Sequence, residues 1–159
     1  MHKNWFVRVL WLTLFTSFLA VSALVIHETF HVWASVLEGG GGIIDFDWDS
    51  LLGIPIPTTG YARGVVMSPF VKIAGGLGTG IIFLAVGKWA KVTSTFQDYY
   101  VEFAFTLCGV CHLLYSIWEV TMLHNIPMQT YLFLNNVIFS IIIVSYLIVE
   151  RKNIWRYIL

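Results

Sequence analysis

The chain has 159 residues, of which 58% are hydrophobic and only 11% charged, with a mean hydropathy of +0.79, and this excludes an ordinary water-soluble globule. Nine basic and nine acidic side chains cancel, so there is no basic footprint for nucleic acid. Two cysteines, Cys108 and Cys111, both inside an apolar stretch, exclude a disulfide framework and a pair of CxxC knuckles.

A bilayer's hydrocarbon is about 30 Å thick, so a spanning helix needs about 20 mostly apolar residues. The first such window covers about residues 5–37, with Arg8 near its start and His27, Glu28 and His31 near its end. It is longer than a bilayer requires, so its last turns are expected at a membrane boundary. A basic start and small residues at Ala20, Ser22 and Ala23 also allow a secretory signal, but the stretch continues past any cleavage point, and an uncleaved first span is the reading adopted.

Residues 39–67 follow. Four glycines, Gly39 to Gly42, end the helix, and 43–49 then alternate apolar residues with Asp45, Asp47 and Asp49 at the period of a half-buried strand. Pro55, Pro57 and Gly60 supply a turn, after which 61–67 can return as a partner strand. The pattern fits a β-hairpin on the membrane surface as well as an irregular loop. The remaining spans cover about 68–90, 99–123 and 129–149. The fold expected is an all-α integral membrane protein: a single transmembrane domain over 1–159, four helices, and a membrane-associated hairpin or loop between the first and second.

Lys3 and Arg8, Lys88 and Lys91, and Arg151, Lys152 and Arg156 fall on one side of a four-span topology. The opposite side holds the 39–67 connection and the short turn around His124 to Pro127. The excess of Lys and Arg marks the cytoplasmic side, so both termini are expected there. Arg63 and Lys72 go against the rule, and Lys72 can snorkel outward from near the end of its helix.

The string His27-Glu28-Thr29-Phe30-His31 is an H-E-x-x-H motif. Residues four apart lie one turn above each other on a helix, so both imidazoles can reach one metal ion while Glu28 stands beside it. Two neutral His nitrogens hold zinc at about 2.0 to 2.1 Å, and a carboxylate that is not a ligand can take a proton from the ion's water. Ionisable groups inside spans are costly, and three within five positions require a compensating partner. The competing readings are polar packing between helices, or imidazoles serving as axial haem ligands.

A catalytic zinc needs a third protein ligand and an open position. His112 and Glu119, both on the third span, are the candidates, with Glu102 near its start. Glu119 is about 30 Å and His112 about 20 Å from that span's beginning, so Glu119 better matches the depth of the motif; His112 is the alternative. On the second span, Gly76 and Gly80 have the G-x-x-x-G spacing of close helix packing. Gly75 and Gly76 lie at a depth where they border the site and leave room for a substrate chain. Asn135, beside Asn136 on the fourth span, suits interhelical hydrogen bonding or orientation of a substrate carbonyl. Asp45, Asp47 and Asp49 share one face and read as a solvated edge.

Together these residues resemble the site-2 protease family of intramembrane zinc metalloproteases: an H-E-x-x-H helix, a membrane-associated β-hairpin, a helix opening with a small-residue segment, and a helix carrying the acid that completes the zinc site. His27 to His31 matches the first element, 39–67 resembles the second, and Ser68-Pro69-Phe70-Val71-Lys72-Ile73-Ala74-Gly75-Gly76 the third. Glu119 stands in place of the family's Asp, Gly76 where proline is common, and the Asn-x-x-Pro motif is absent.

The resemblance implies a zinc-dependent endopeptidase with one Zn²⁺ per chain, Glu28 as the catalytic acid and base, and a membrane protein or peptide in the bilayer as substrate. Proteolysis in lipid requires local unwinding of a helical substrate, and the hairpin could clamp the extended segment by strand addition. The alternative is a non-catalytic subunit of a larger membrane complex, its histidines holding a structural metal or haem. So short a chain is compatible with a homo-oligomer or a larger assembly.

Overall fold

The computed structural model describes residues 5–51, 53–90, 96–122 and 125–158. Its elements in chain order are α1 (Trp5–Leu37), β1 (Ile43–Leu51), β2 (Ile54–Arg63), α2 (Pro69–Ala90), α3 (Phe96–Met122) and α4 (Met128–Ile158). All four helices are long and apolar enough to cross a membrane. Lys3, Lys91 and His124 of the expected topology lie outside the described residues.

The helix limits follow the expected spans closely, except that α4 continues to Ile158. Its extension begins with Glu150, Arg151 and Lys152, good helix formers that need no lipid. Large apolar side chains such as Phe18, Trp89, Phe133 and Val149 point outward on all four helices, the exterior that a lipid environment favours. Small buried clusters join the rods. Ala34, Val71 and Ala74, with Phe30 and Val65, link α1 to α2 and the segment before it. Phe103, Leu107 and Cys111, with Leu12, Phe139, Ile142 and Tyr146, link α3 to α1 and α4.

Helix α1 stops in a Schellman-type cap: Gly39 has a φ of 80°, and the Gly39 and Gly40 N–H groups donate to Val36 O (3.0 Å) and Ser35 O (2.9 Å). The fully buried Ser35 ties down the ensuing connection at both ends. Its hydroxyl donates to Gly41 O at 2.7 Å and accepts the Val66 N–H at 2.9 Å.

Between those ends β1 and β2 form a two-stranded antiparallel hairpin, from Ile43 opposite Arg63 to Leu51 opposite Ile54, with a bulge at Asp47/Trp48. The turn lies at Gly53, φ 80°, and not at the expected Pro55 to Gly60, which are inside β2. Both strands of a two-stranded sheet are edge strands, and a proline without an N–H is tolerated on an edge. A left-handed glycine reverses the chain more readily than proline does.

Candidate metal centre

The site is assembled at the hairpin end of the bundle. His31 is six residues from the end of α1 and Gly75 six from the start of α2, about 9 Å in each case; Glu119 is three residues from the end of α3. His27, Glu28, His31 and Glu119 are all buried, at 5 to 7% exposure. So many ionisable groups in so apolar a bundle need one another or an ion.

His27 and His31 lie one turn apart with their rings at 74° and their Nε2 atoms 2.9 Å apart. Glu119 reaches across from α3, placing Oε2 3.4 Å from His27 Nε2 and Oε1 3.4 Å from His31 Nε2. His31 Nδ1 lies 2.6 Å from the Val71 carbonyl; donating there assigns the Nδ1–H tautomer and leaves the Nε2 lone pair facing the cluster. His27, His31 and Glu119 thus form a buried group able to hold a metal ion.

Three features of the site fit a bound metal ion. With one ligand atom from each residue, the three lie within 4.8 Å of one another, near enough to share one ion. Glu119 Oε2 is buried and accepts no hydrogen bond, a carboxylate oxygen that a cation would satisfy. The third feature is Gly75. A Cβ at this position would overlap His31 Nε2 and come within 2.7 Å of His27 Nε2, so the missing side chain leaves the space on which the ligands converge.

Glu28 stands outside the ligand group. The Ala62 backbone N–H is directed at its carboxylate, and a Cβ on Gly60 would lie 3.0 Å from its Cγ, so β2 packs directly over it. A cavity of about 430 Å³ opens here, lined by Glu28, His31, Glu119, Tyr115 and Tyr131 from the helices and by residues 59–62 and Asp47 of the hairpin. Lys72 also lines this cavity.

His112 is adjacent but separate. Its ring lies 5.4 Å from that of His27, its Nδ1 has no hydrogen-bond partner, and it is not among the three converging ligands. Gly76 faces α3, where its Cβ would lie 2.6 Å from His112 O. Asn135 is in α4 with its Oδ1 buried and unpartnered; neither it nor Gly76 is among the residues lining the cavity.

Among the helical residues lining the cavity, the two tyrosines Tyr115 and Tyr131 were not anticipated as site residues. Tyr115 is four positions before Glu119 and so on the same helical face, a signal available in the sequence. Tyr131 is brought in from the start of α4, which the short connection after α3 places nearby. The Tyr131 hydroxyl donates to that of Tyr115 at 2.8 Å.

The fold and site therefore define a bundle of four membrane-type helices with a buried His₂Glu group able to hold a metal ion beneath a hairpin. No protein-family model, curated protein or solved structure matches the chain.

Proposed function

We propose that this protein is an intramembrane zinc endopeptidase, with His27, His31 and Glu119 holding the ion and Glu28 serving as general base and then general acid. The observation that carries the reading is the position of Glu28. It is buried beside the ligands, is not one of them, and lines the cavity that opens onto them. A structural metal would need no such free carboxylate. The paired Nε2 atoms, 2.9 Å apart, also suit one small ion better than the two faces of a haem.

Zinc bound there would polarise a peptide carbonyl and lower the pKa of its water from near 16 towards 7. Glu28 takes the proton from the attacking water as the carbon–oxygen bond forms. It returns that proton to the nitrogen as the carbon–nitrogen bond breaks. The Ala62 N–H holds the carboxylate in place, and the His31–Val71 hydrogen bond fixes the neighbouring ring. An extended substrate segment suits this cavity, because a helical one hides its carbonyls. β2, which covers Glu28, is the strand placed to receive it. The distribution of Lys and Arg supports cytoplasmic termini, with the site towards the opposite face.

The test uses the full chain purified in detergent. Metal analysis should give about one zinc per chain. Glu28→Gln should retain that metal and lose at least about 100-fold in peptide cleavage. Cleavage at the unsubstituted rate removes Glu28 from the chemistry. Bound metal with no cleavage by the unsubstituted chain identifies a non-catalytic metal-binding subunit instead.

A further inference from the structure

Peptide hydrolysis by a base and a Lewis acid is faster when a further group meets the carbonyl oxygen. As water adds, the carbonyl's π electrons move onto its oxygen, and a preorganised donor aimed at that oxygen lowers the barrier. Glu28, once it has taken the water's proton, is committed to the departing nitrogen, and the imidazole nitrogens that face the ion have no proton to give.

Tyr115 has the required properties. It lines the same cavity as Glu28, His31 and Glu119, and its ring packs 5.4 Å from that of His27. Its hydroxyl accepts the proton of Tyr131. With Tyr131 as the donor of this bond, the Tyr115 proton is left to turn towards a group in the cavity. A hydroxyl that accepts one hydrogen bond becomes a better donor for the next.

The pair is held firmly. Tyr131 is 3% exposed and stacks on Trp118 with centroids 5.8 Å apart and planes at 19°. The Tyr115 ring also packs against Phe139, 5.6 Å away. Nothing in the ordinary packing of apolar helices calls for two linked phenols at the mouth of a metal cluster.

Building on the endopeptidase reading, we infer that Tyr115 donates a hydrogen bond to the oxygen of the scissile carbonyl as its negative charge develops, and that Tyr131 positions and polarises that donor. No proton is transferred from Tyr115. The water's proton goes to Glu28 and on to the departing amine, so the phenol ends each cycle as it began. Tyr115 is thus a catalytic residue and Tyr131 a positioning one.

The probe is a mixture of synthetic apolar peptides of about 25 residues, the length of a span, in detergent micelles, with cleavage read by mass spectrometry. A peptidyl phosphinate built on the bond found to be cut supplies a tetrahedral oxyanion. Tyr115→Phe should keep the zinc content and KM, lower kcat about 100-fold, and weaken phosphinate binding at least tenfold. Tyr131→Phe should lower kcat about tenfold. The double variant should be no slower than Tyr115→Phe alone, because the two act as one unit.

A merely structural pair would disturb metal content, KM and thermal stability together and leave phosphinate and substrate affinities in their original ratio. That result overturns the inference, as does a Tyr115→Phe chain that keeps kcat within twofold while Glu28→Gln is inactive; the endopeptidase reading then survives. If Glu28→Gln is fully active, or the unsubstituted chain cuts none of the peptides, the reading itself fails and the role of Tyr115 fails with it.

Discussion

Helix α2 meets its neighbours through backbone, whereas α4 meets its neighbours through rings. On α2, Gly75 and Gly78 face α1, with Cβ positions that would collide with His31 and with the Phe30 ring. Gly76 and Gly80 face α3 and would meet His112 O at 2.6 Å and Gly109 O at 3.0 Å. Helix α4 contains no glycine; it is held by Tyr131 on Trp118, Phe139 on Tyr115 and Tyr146 on Phe103. In lipid, apolar burial between helices gains little over contact with acyl chains, so close backbone approach decides which helices stay together. All three candidate ligands lie on α1 and α3, with α2 wedged against both. The fourth helix contributes Tyr131, held by the Trp118 ring and not by backbone contact.

The sharpest way to break this contrast is at Gly75. Gly75→Ala places a methyl where the ligands converge, in contact with two rings that cannot both retreat, because His31 is held by Val71 O. Zinc content should fall from about one per chain to less than a tenth of that, with helicity by circular dichroism unchanged. A fully metallated alanine variant would show that the ion is held elsewhere.

One position along, the effect should move from metal to fold. Gly76→Leu drives a side chain into His112 O and the Ser116 backbone N, atoms of a helix backbone with no rotamer to escape into. Overpacking of this kind should cost about 3 kcal/mol, read as a lower denaturation midpoint in mixed detergent micelles. Metal loss should follow unfolding and not precede it, the reverse of the order expected for Gly75→Ala.

That neighbouring glycines should fail so differently marks what the amino-acid sequence does and does not disclose. His27 and His31 were legible because i,i+4 geometry is local to one helix, and Glu119 because helix rise converts residue number into depth. Spacings of three and four among Gly75, Gly76, Gly78 and Gly80 show that α2 has two small-residue faces. They do not say which neighbour each face meets, and that choice decides that Gly75, and not Gly76, borders the ligands. The Val71 carbonyl beside His31 follows from the same helix rotation and leaves no mark in residue type. The hairpin was visible in its alternation, but its turn was misplaced. Proline punctuates buried strands more reliably than exposed edges, and here Pro55 and Pro57 lie within an edge strand.

The mildest test falls on α4. Phe139 rests on Tyr115 and joins the cluster of Phe103, Leu107 and Cys111, so in a water-soluble protein its truncation would be costly. Between lipid-embedded helices, Phe139→Leu exchanges part of one apolar contact for another and gives up chiefly the ring–ring term, about 0.5 to 1 kcal/mol. The denaturation midpoint should shift by much less than for Gly76→Leu, with zinc content intact and any loss of cleavage no more than about threefold. A loss of stability equal to that of Gly76→Leu would mean that rings fasten α4 as tightly as glycines fasten α2, and the fourth helix would then belong to the rigid frame of the site.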